Sequence, residues 1–318
     1  MTTGAPPSSA APSRLWLLLF AVAAVEVVGH LVIQSRVVPD TDWDAAAAFV
    51  RSEWRERDVV SAAPRWADPL MRRAVGDLLS TSSAGRADLE GFERLWVLSI
   101  RGHRAAEAPE GAPELVRSFG AVTVERWALP RVEVHYDFAD HVGEASVVRT
   151  EGDREVPCRL TRSGAQGGGL GSGPITPAER HVCDPGRPWL WVGTTVEEDL
   201  AMLPRRCVWQ HPPGGEDVVR TTFAEVPLGE RLVLHAGLWW EHERTMDHGP
   251  VSVRVLLDGV EIGTLVHRDG DGWKRLEAAI PEERRGGVGS VSIETSAPDP
   301  QFRTVCWAAS TRSSGEGE

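Results

Sequence analysis

Apolar residues follow three different rhythms along the chain. From Leu15 to Ile33 they form one run interrupted only by Glu26 and His30, close to the roughly 20 residues needed to cross a bilayer. From there to about residue 138, segments with helical spacing alternate with short β-rich runs. Beyond about residue 140 there are only short runs, many alternating apolar and polar with period two, separated by Gly, Pro and Asp.

The twelve Leu, Ile, Val and Phe residues of the first run favour insertion by roughly 4–7 kcal/mol, against about 3–6 kcal/mol for Glu26 and His30. Insertion therefore wins narrowly. Val22-Ala23-Ala24 fits a signal-peptide cleavage site, but the run continues nine residues past it, which favours an uncleaved anchor over 15–34. Glu26 and His30 share one helix face. They read either as a tolerated pair or as a contact to a partner helix. Arg14 and Arg36 flank the run evenly and leave its orientation open.

In the second region, "PDTDWDAAAAFVRSEW" predicts a helix capped by Asp42, and "RDVVSAAP" a buried strand ended by Pro64. "ADPLMRRAVGDLL" predicts a helix with Asp68 as cap and Pro69 in its first turn. "DLEGFERLWVLSI" joins a helical turn to a second strand, "APELVRSFG" reads as a helix closed by Gly120, and "AVTVERWAL" as a third strand. Alternation of this kind predicts a small α/β domain over 37–138 with a mostly parallel sheet. The third region predicts an antiparallel β-sandwich or jelly roll, with Asp258-Gly259 as a hairpin turn. It divides into a β-rich connecting region, 139–206, holding the flexible loop "SGAQGGGLGSGP", and a sandwich over 207–311. Residues 1–14 and 312–318 read as disordered tails, the first of them cytoplasmic.

Composition adds compartment and excludes one partner class. A net charge of −12 and a pI near 5.4 argue against nucleic acid, which needs clustered cations. Lys274 is the only lysine, which reflects a GC-rich genome more simply than a need for bidentate phosphate contacts. The four cysteines, Cys158, Cys183, Cys207 and Cys306, lack CxxC spacing and are even in number, as disulfides in an oxidising compartment require. The body is then expected outside the cytoplasm. We expect Cys158–Cys183 to close the glycine-rich loop and Cys207–Cys306 to tie the sandwich's first strand to its last; two other pairings remain open.

The window "GLWWEHERTMDHGPVSV" gathers the most chemistry. His242-Glu243 with His248 superficially resembles HExxH, but the second histidine comes six residues on rather than four and strand patterns flank it. A surface loop is expected, with no metal and no cofactor. "RDGDGW" opens like a calcium loop, but Trp273 stands at the third ligand position and no glutamate follows at the required distance, so a turn is expected. No nucleophile elbow, phosphate loop or catalytic Cys–His signature is present. Tryptophan stands out at 13 residues against one tyrosine. Trp239, Trp240 and Trp273 fall at predicted strand ends, where indole faces can stack on sugars, with Glu241 and Arg244 supplying hydrogen bonds. Adjacent strand residues point to opposite faces, so Trp239 or Trp240 should be exposed if the other is buried. In the α/β region "APRWADPLMRR" joins a strand's carboxyl end to a helix start, where anions bind. Arg65 and Arg72 are its candidate ligand contacts beside Trp66, whose simpler role is packing under the helix.

The stretches "DWDAAAAFVRSEWRERDVVSAAPRW" and "RLWVLSI" resemble the soluble extracytoplasmic domain of polyprenyl-phosphate-sugar-dependent, protein O-mannosyltransferase-like glycosyltransferases, over residues 37–136. That family's catalytic acid lies in a many-helix membrane part that this chain lacks, so the resemblance implies a neighbouring role and transfers no catalytic residue. "VLLDGVEIG…GW…RTVCW" is similar to galactose-binding-like jelly rolls, which include carbohydrate-binding modules and purely structural domains. The expectation is a non-catalytic, single-pass membrane protein whose extracytoplasmic body binds or scaffolds surface glycan or lipid-linked sugar near a glycosyltransferase. The alternatives are a metal-dependent hydrolase using His242 and His248, and a structural envelope protein.

Overall fold

A computed structural model describes residues 15–165, 167–168, 175–245 and 248–315. The expected tail 1–14, the centre of the glycine-rich loop and residues 316–318 lie outside them. Helix α1 (Leu15–Gln34) is long and apolar enough to cross a membrane, and none of its apolar span is buried against the body. Glu26 and His30 are both exposed on it.

Next come α2 (Asp40–Glu53), β1 (Asp58–Ala63), α3 (Asp68–Val75), α4 (Thr81–Ala84), β2 (Arg94–Ile100), β3 (Leu115–Phe119) and β4 (Val122–Ala128). The four strands form one sheet in the order β1-β2-β4-β3. Trp43, Ala46, Ala47 and Val50 of α2 recur at helical spacing and pack with α3 on one sheet face, against Val60, Trp96, Leu98 and Val124. Asp58 is buried where β1 enters the sheet. It accepts two hydrogen bonds from Arg94 (2.7 and 2.6 Å) and one from the Trp96 indole (2.8 Å), so neither charge is left uncompensated in the low-dielectric interior.

Three expectations for this domain need correction. The sheet is not mostly parallel: β1 pairs β2 in parallel, but β2–β4 and β3–β4 are antiparallel. The stretch expected as a helix closed by Gly120 is strand β3, because five residues are too few to tell periods apart. Gly120 instead takes φ +57 in a two-residue hairpin turn, and a Cβ there would collide with the Asp42 carboxylate. Neither Asp42 nor Asp68 caps its helix. Asp42 accepts from the Ala121 N–H (2.8 Å), and Asp68 from Arg72 one turn on.

The remaining strands are β5 (Val132–Asp137), β6 (Ser146–Glu151), β7 (Arg154–Pro157), β8 (Arg159–Arg162), β9 (Glu179–Val182), β10 (Trp191–Glu198), β11 (Pro204–Gln210), β12 (Val219–Pro227), β13 (Arg231–Leu238), β14 (Val251–Leu257), β15 (Val260–His267), β16 (Lys274–Ala279), β17 (Val288–Ser296) and β18 (Val305–Ser314). They form an antiparallel sandwich. One sheet runs β16-β13-β18-β11-β10-β9-β8, with β5 also pairing β18; the other runs β15-β14-β17-β12-β6-β7. Strands from 139–206 are thus hydrogen-bonded into the same two sheets as those from 207–311, β10 against β11 for instance. Arg312 to Ser314, expected in a tail, extend β18. Both expected disulfides form, Cys158–Cys183 and Cys207–Cys306.

Apolar residues of the two inner faces fill the core, Val192, Val208, Leu234 and Trp307 facing Phe223, Val253 and Ile293 among them. Fully buried polar side chains also sit there, Gln210, Thr221 and Thr295 among them. Gln210, the last residue of β11, donates to the carbonyls of Val219 (2.8 Å) and Ile293 (2.9 Å) on the opposite sheet. Its carbonyl accepts from Thr221 (2.7 Å) and the Trp307 indole (3.2 Å). Four hydrogen bonds satisfy the amide and lock the two sheets in register.

Segment 84–90 of the first domain docks on the outer face of the eight-stranded sheet. Gly85 accepts the Arg206 N–H (2.6 Å), an approach so close that a Cβ on Gly85 would lie 2.7 Å from that nitrogen. Glu90 binds Arg231, Arg275 and Arg312, and Asp88 also binds Arg312. Burial opposes ionisation of Glu90, but the arginines outweigh it and hold its pKa below the ordinary value. Gln210→Met keeps the volume and removes all four hydrogen bonds. It is expected to lower stability in urea unfolding of the full chain by about 3 kcal/mol or more, since buried partners left unmade cost roughly 1–3 kcal/mol each.

Candidate binding site

The outer face of the eight-stranded sheet is half covered by segment 84–90 and half open. Alternation along β10 and β11 puts Trp191 and Trp209 on this face, stacked at 5.0 Å with their planes 11° apart, beside the Cys207–Cys306 bridge. The open half forms a groove of about 440 Å³ lined by Trp189, Trp209, His211, His242, Phe302 and Thr304, with Pro300 and Gln301 at its rim. The Trp209 indole donates to the Trp189 carbonyl (3.1 Å), fixing one wall. Trp189 packs at 4.4 Å on His211. Across the groove Phe302 lies between His242 (4.8 Å) and His248 (5.3 Å). Its loop is pinned by the fully buried Arg303, which binds Asp269 (2.8 Å), the same carboxylate that accepts the His248 N–H (3.0 Å).

His211 is neutral at ordinary pH: burial pushes its pKa down to about 4, with the Pro212 carbonyl opposing. Its Nδ1–H donates to that carbonyl (2.9 Å), which leaves Nε2 as the acceptor. Burial also lowers His242, whose Nδ1 is buried without a hydrogen-bond partner. The groove therefore offers flat apolar rings with a few hydrogen-bonding edges, an arrangement suited to uncharged polyhydroxylated ligands.

The sequence-predicted residues divide three ways. Trp239 and Trp240 are not a strand pair: β13 ends at Leu238, and a short helix α5 (Trp240–Thr245) follows. Both are half-buried, so the expected contrast between a buried and an exposed ring does not arise. Trp239 packs edge-on against His242 (4.7 Å) and so backs the groove. Trp240 turns away, its indole donating to Glu198 (3.2 Å) with the Arg244 guanidinium over its ring (5.1 Å). Glu241 is exposed on α5. Trp273 lies between the domains: its indole donates to the Ala87 carbonyl (3.2 Å) and its ring stacks on His235. Arg65, Trp66 and Arg72 come together elsewhere, at the carboxyl end of β1, and Trp66 is 58% exposed rather than packed under α3.

His242 and His248 flank one phenyl ring and do not converge on a point. Among the described residues no group of three or more His, Cys, Asp or Glu is placed to hold a metal; Asp247 lies outside them. The 268–273 segment is a turn, as its sequence predicts. Its Asp271 carboxylate accepts the Arg268 N–H (2.9 Å) and binds Lys274 (2.9 Å). Trp189, Trp209, His211 and Phe302 were not anticipated. The available signal was the period-two aromatic pattern of "WLW" and "WQH".

No protein-family model and no curated protein matches the sequence. Solved structures that match include the family 51 carbohydrate-binding module of a Clostridium perfringens family 95 glycoside hydrolase in complex with methyl-galactose, at 10% identity and TM-score 0.27, over 37% of this chain and 81% of that one. A second family 51 module with adjoining domains, from Clostridium perfringens ZmpB in complex with GlcNAc, matches at 9% identity and TM-score 0.32, over 68% of this chain and 40% of that one. A mannan-recognising module, TmCBM27, matches at 12% and 0.28, over 57% and 98%.

Behind the groove two acids are buried beside each other. Burial, then Glu243 and Asp199, push Glu197 well above its ordinary pKa. Burial raises Glu243 to about 7; the Gly272 N–H opposes and Asp269 and Asp271 add. One oxygen of each acid has no hydrogen-bond partner. Folded Glu243 keeps its proton where the unfolded chain has released it, so its contribution is complete below about pH 4.5 and lost as pH rises through about 7. His211 and His235, both pushed down to about 4 chiefly by burial, act oppositely, their contribution fading as pH falls from 6.5 through 4. Glu243→Gln should therefore leave stability near pH 4 unchanged and raise it at pH 8 by on the order of 2–3 kcal/mol, read from denaturant midpoints at both pH values.

Proposed function

We propose that the chain is a membrane-anchored, extracytoplasmic glycan-binding protein of the galactose-binding-like type, which takes uncharged sugar in the aromatic groove and performs no chemistry on it. The observation that carries this reading is the groove itself. Trp189 and Phe302 present part-exposed apolar rings there over the buried Trp209, and His211, Gln301 and Thr304 supply polar edges without a net charge. Sugar rings bury their axial C–H faces on such platforms and spend their hydroxyls on the edges. The anchor is α1, and the two disulfides fit a body outside the cytoplasm. A place beside a glycosyltransferase acting on lipid-linked sugar belongs to the same reading and follows from the N-terminal resemblance alone.

The test is isothermal titration of the full chain in detergent against galactose, N-acetylglucosamine and mannan oligosaccharides. At least one is expected to release heat and shift tryptophan emission. Trp189→Ala and Phe302→Ala should each weaken that binding by about 10-fold or more, as losing one stacking ring costs roughly 1–3 kcal/mol. Trp66→Ala, outside the groove, should leave it unchanged. Silence across cell-envelope glycans from a folded protein would defeat the reading.

A further inference from the structure

A second cavity, about 220 Å³, opens at the carboxyl end of β1, where the α/β domain meets the sandwich. Five guanidinium groups line it, those of Arg65, Arg72, Arg86, Arg104 and Arg205, against two carboxylates, Asp68 and Glu107. Three arginines are already matched: Arg72 with Asp68, Arg86 with Glu107, and Arg205 with Asp199 (2.8 Å). The other two are not. Among the described residues Arg65 reaches only the Ala201 carbonyl, at 3.4 Å, and Arg104 only the carbonyls of Ala108 and Pro109 while lying over the Trp127 ring (4.9 Å). Arg86 Nε is in addition buried with no hydrogen-bond partner. In a chain of net charge −12, excess positive charge gathered in one small concave place is the reverse of the general surface. Guanidinium forks match the tetrahedral oxygens of phosphate.

The cavity also lies on the α1 side of the body. Arg101 donates to the carbonyl of Arg36 (2.9 Å), two residues beyond α1, and its guanidinium lies over the ring of Trp66 (5.6 Å). Trp66 adjoins Arg65, and Arg101 shares a loop with Arg104. An exposed indole flanked by arginines next to a membrane helix is how a surface sits at the headgroup level.

We propose that this cavity binds a phosphate group, presented by a phosphorylated lipid headgroup at the membrane surface, with Arg65 and Arg104, which pair with no carboxylate among the described residues, as its ligands and the buried Nε–H of Arg86 as a third donor. The lipid source rests on the anchor reading above; the phosphate chemistry does not, and neither depends on the aromatic groove. The full chain in detergent is titrated with inorganic phosphate, with short-chain phosphatidic acid and with short-chain phosphatidylcholine. Phosphatidic acid is expected to bind at least 10-fold more tightly than phosphatidylcholine and than inorganic phosphate. The double variant R65A/R104A should lose 10-fold or more of that affinity with its melting temperature unchanged, and R65K/R104K should recover part of it. Trp189→Ala should bind phosphatidic acid as the native chain does, which separates failure here from failure of the glycan reading. Equal binding of inorganic phosphate would overturn the lipid source and keep the phosphate site. No binding of either phosphate probe, or an R65A/R104A chain that binds normally, would overturn the site.

Discussion

The buried amide of Gln210 is the point through which fold and groove depend on each other. Its four hydrogen bonds reach both facing sheets, and none can be replaced by water in a packed core. Because side chains alternate along a strand, fixing Gln210 inward fixes its neighbours Trp209 and His211 outward. Those two residues form a wall of the groove. The Cys207–Cys306 bridge holds the same strand to β18, where the ladder contributes only two paired positions.

The outer face of the eight-stranded sheet serves two purposes, divided by what the first domain covers. Asp88 and Glu90 draw Arg231, Arg275 and Arg312 into a partly buried charge network, where screening by salt is weak. Trp273 falls on the covered half and becomes interface. Trp189, part-exposed, and Trp209, buried beneath the groove, border the open half. The same docking creates the arginine-lined cavity at the domain boundary, since Leu203 to Arg205 of the sandwich complete a wall that β1 and α3 begin. The cavity thus exists only because the two parts of the chain meet there.

Residues near the groove carry ionisable groups kept neutral by burial. His211, held uncharged, and Glu243, holding its proton up to about pH 7, make the site's surroundings less charged than their sequence suggests. A cluster of two histidines and several acids reads as metal chemistry along the chain. In space Phe302 separates the histidines, and Glu243 is buried behind them.

Features that depend on near neighbours or on composition could be read along the chain. The apolar span of α1, the period-two strands of an antiparallel sandwich and an even set of cysteines for two disulfides were all legible, because each is a local repeat or a count. The stretch at 115–120 was misread as helix because a five-residue edge strand, half-exposed, carries too little periodic information, and what decides it is pairing with β4. The mostly parallel sheet failed with it. Only the tertiary structure could select the groove, for its walls come from residues near 189, 209–211, 242 and 300–304. Whether an indole binds ligand or seals an interface depends on which half of a sheet another domain covers, a long-range packing outcome that no window of sequence contains.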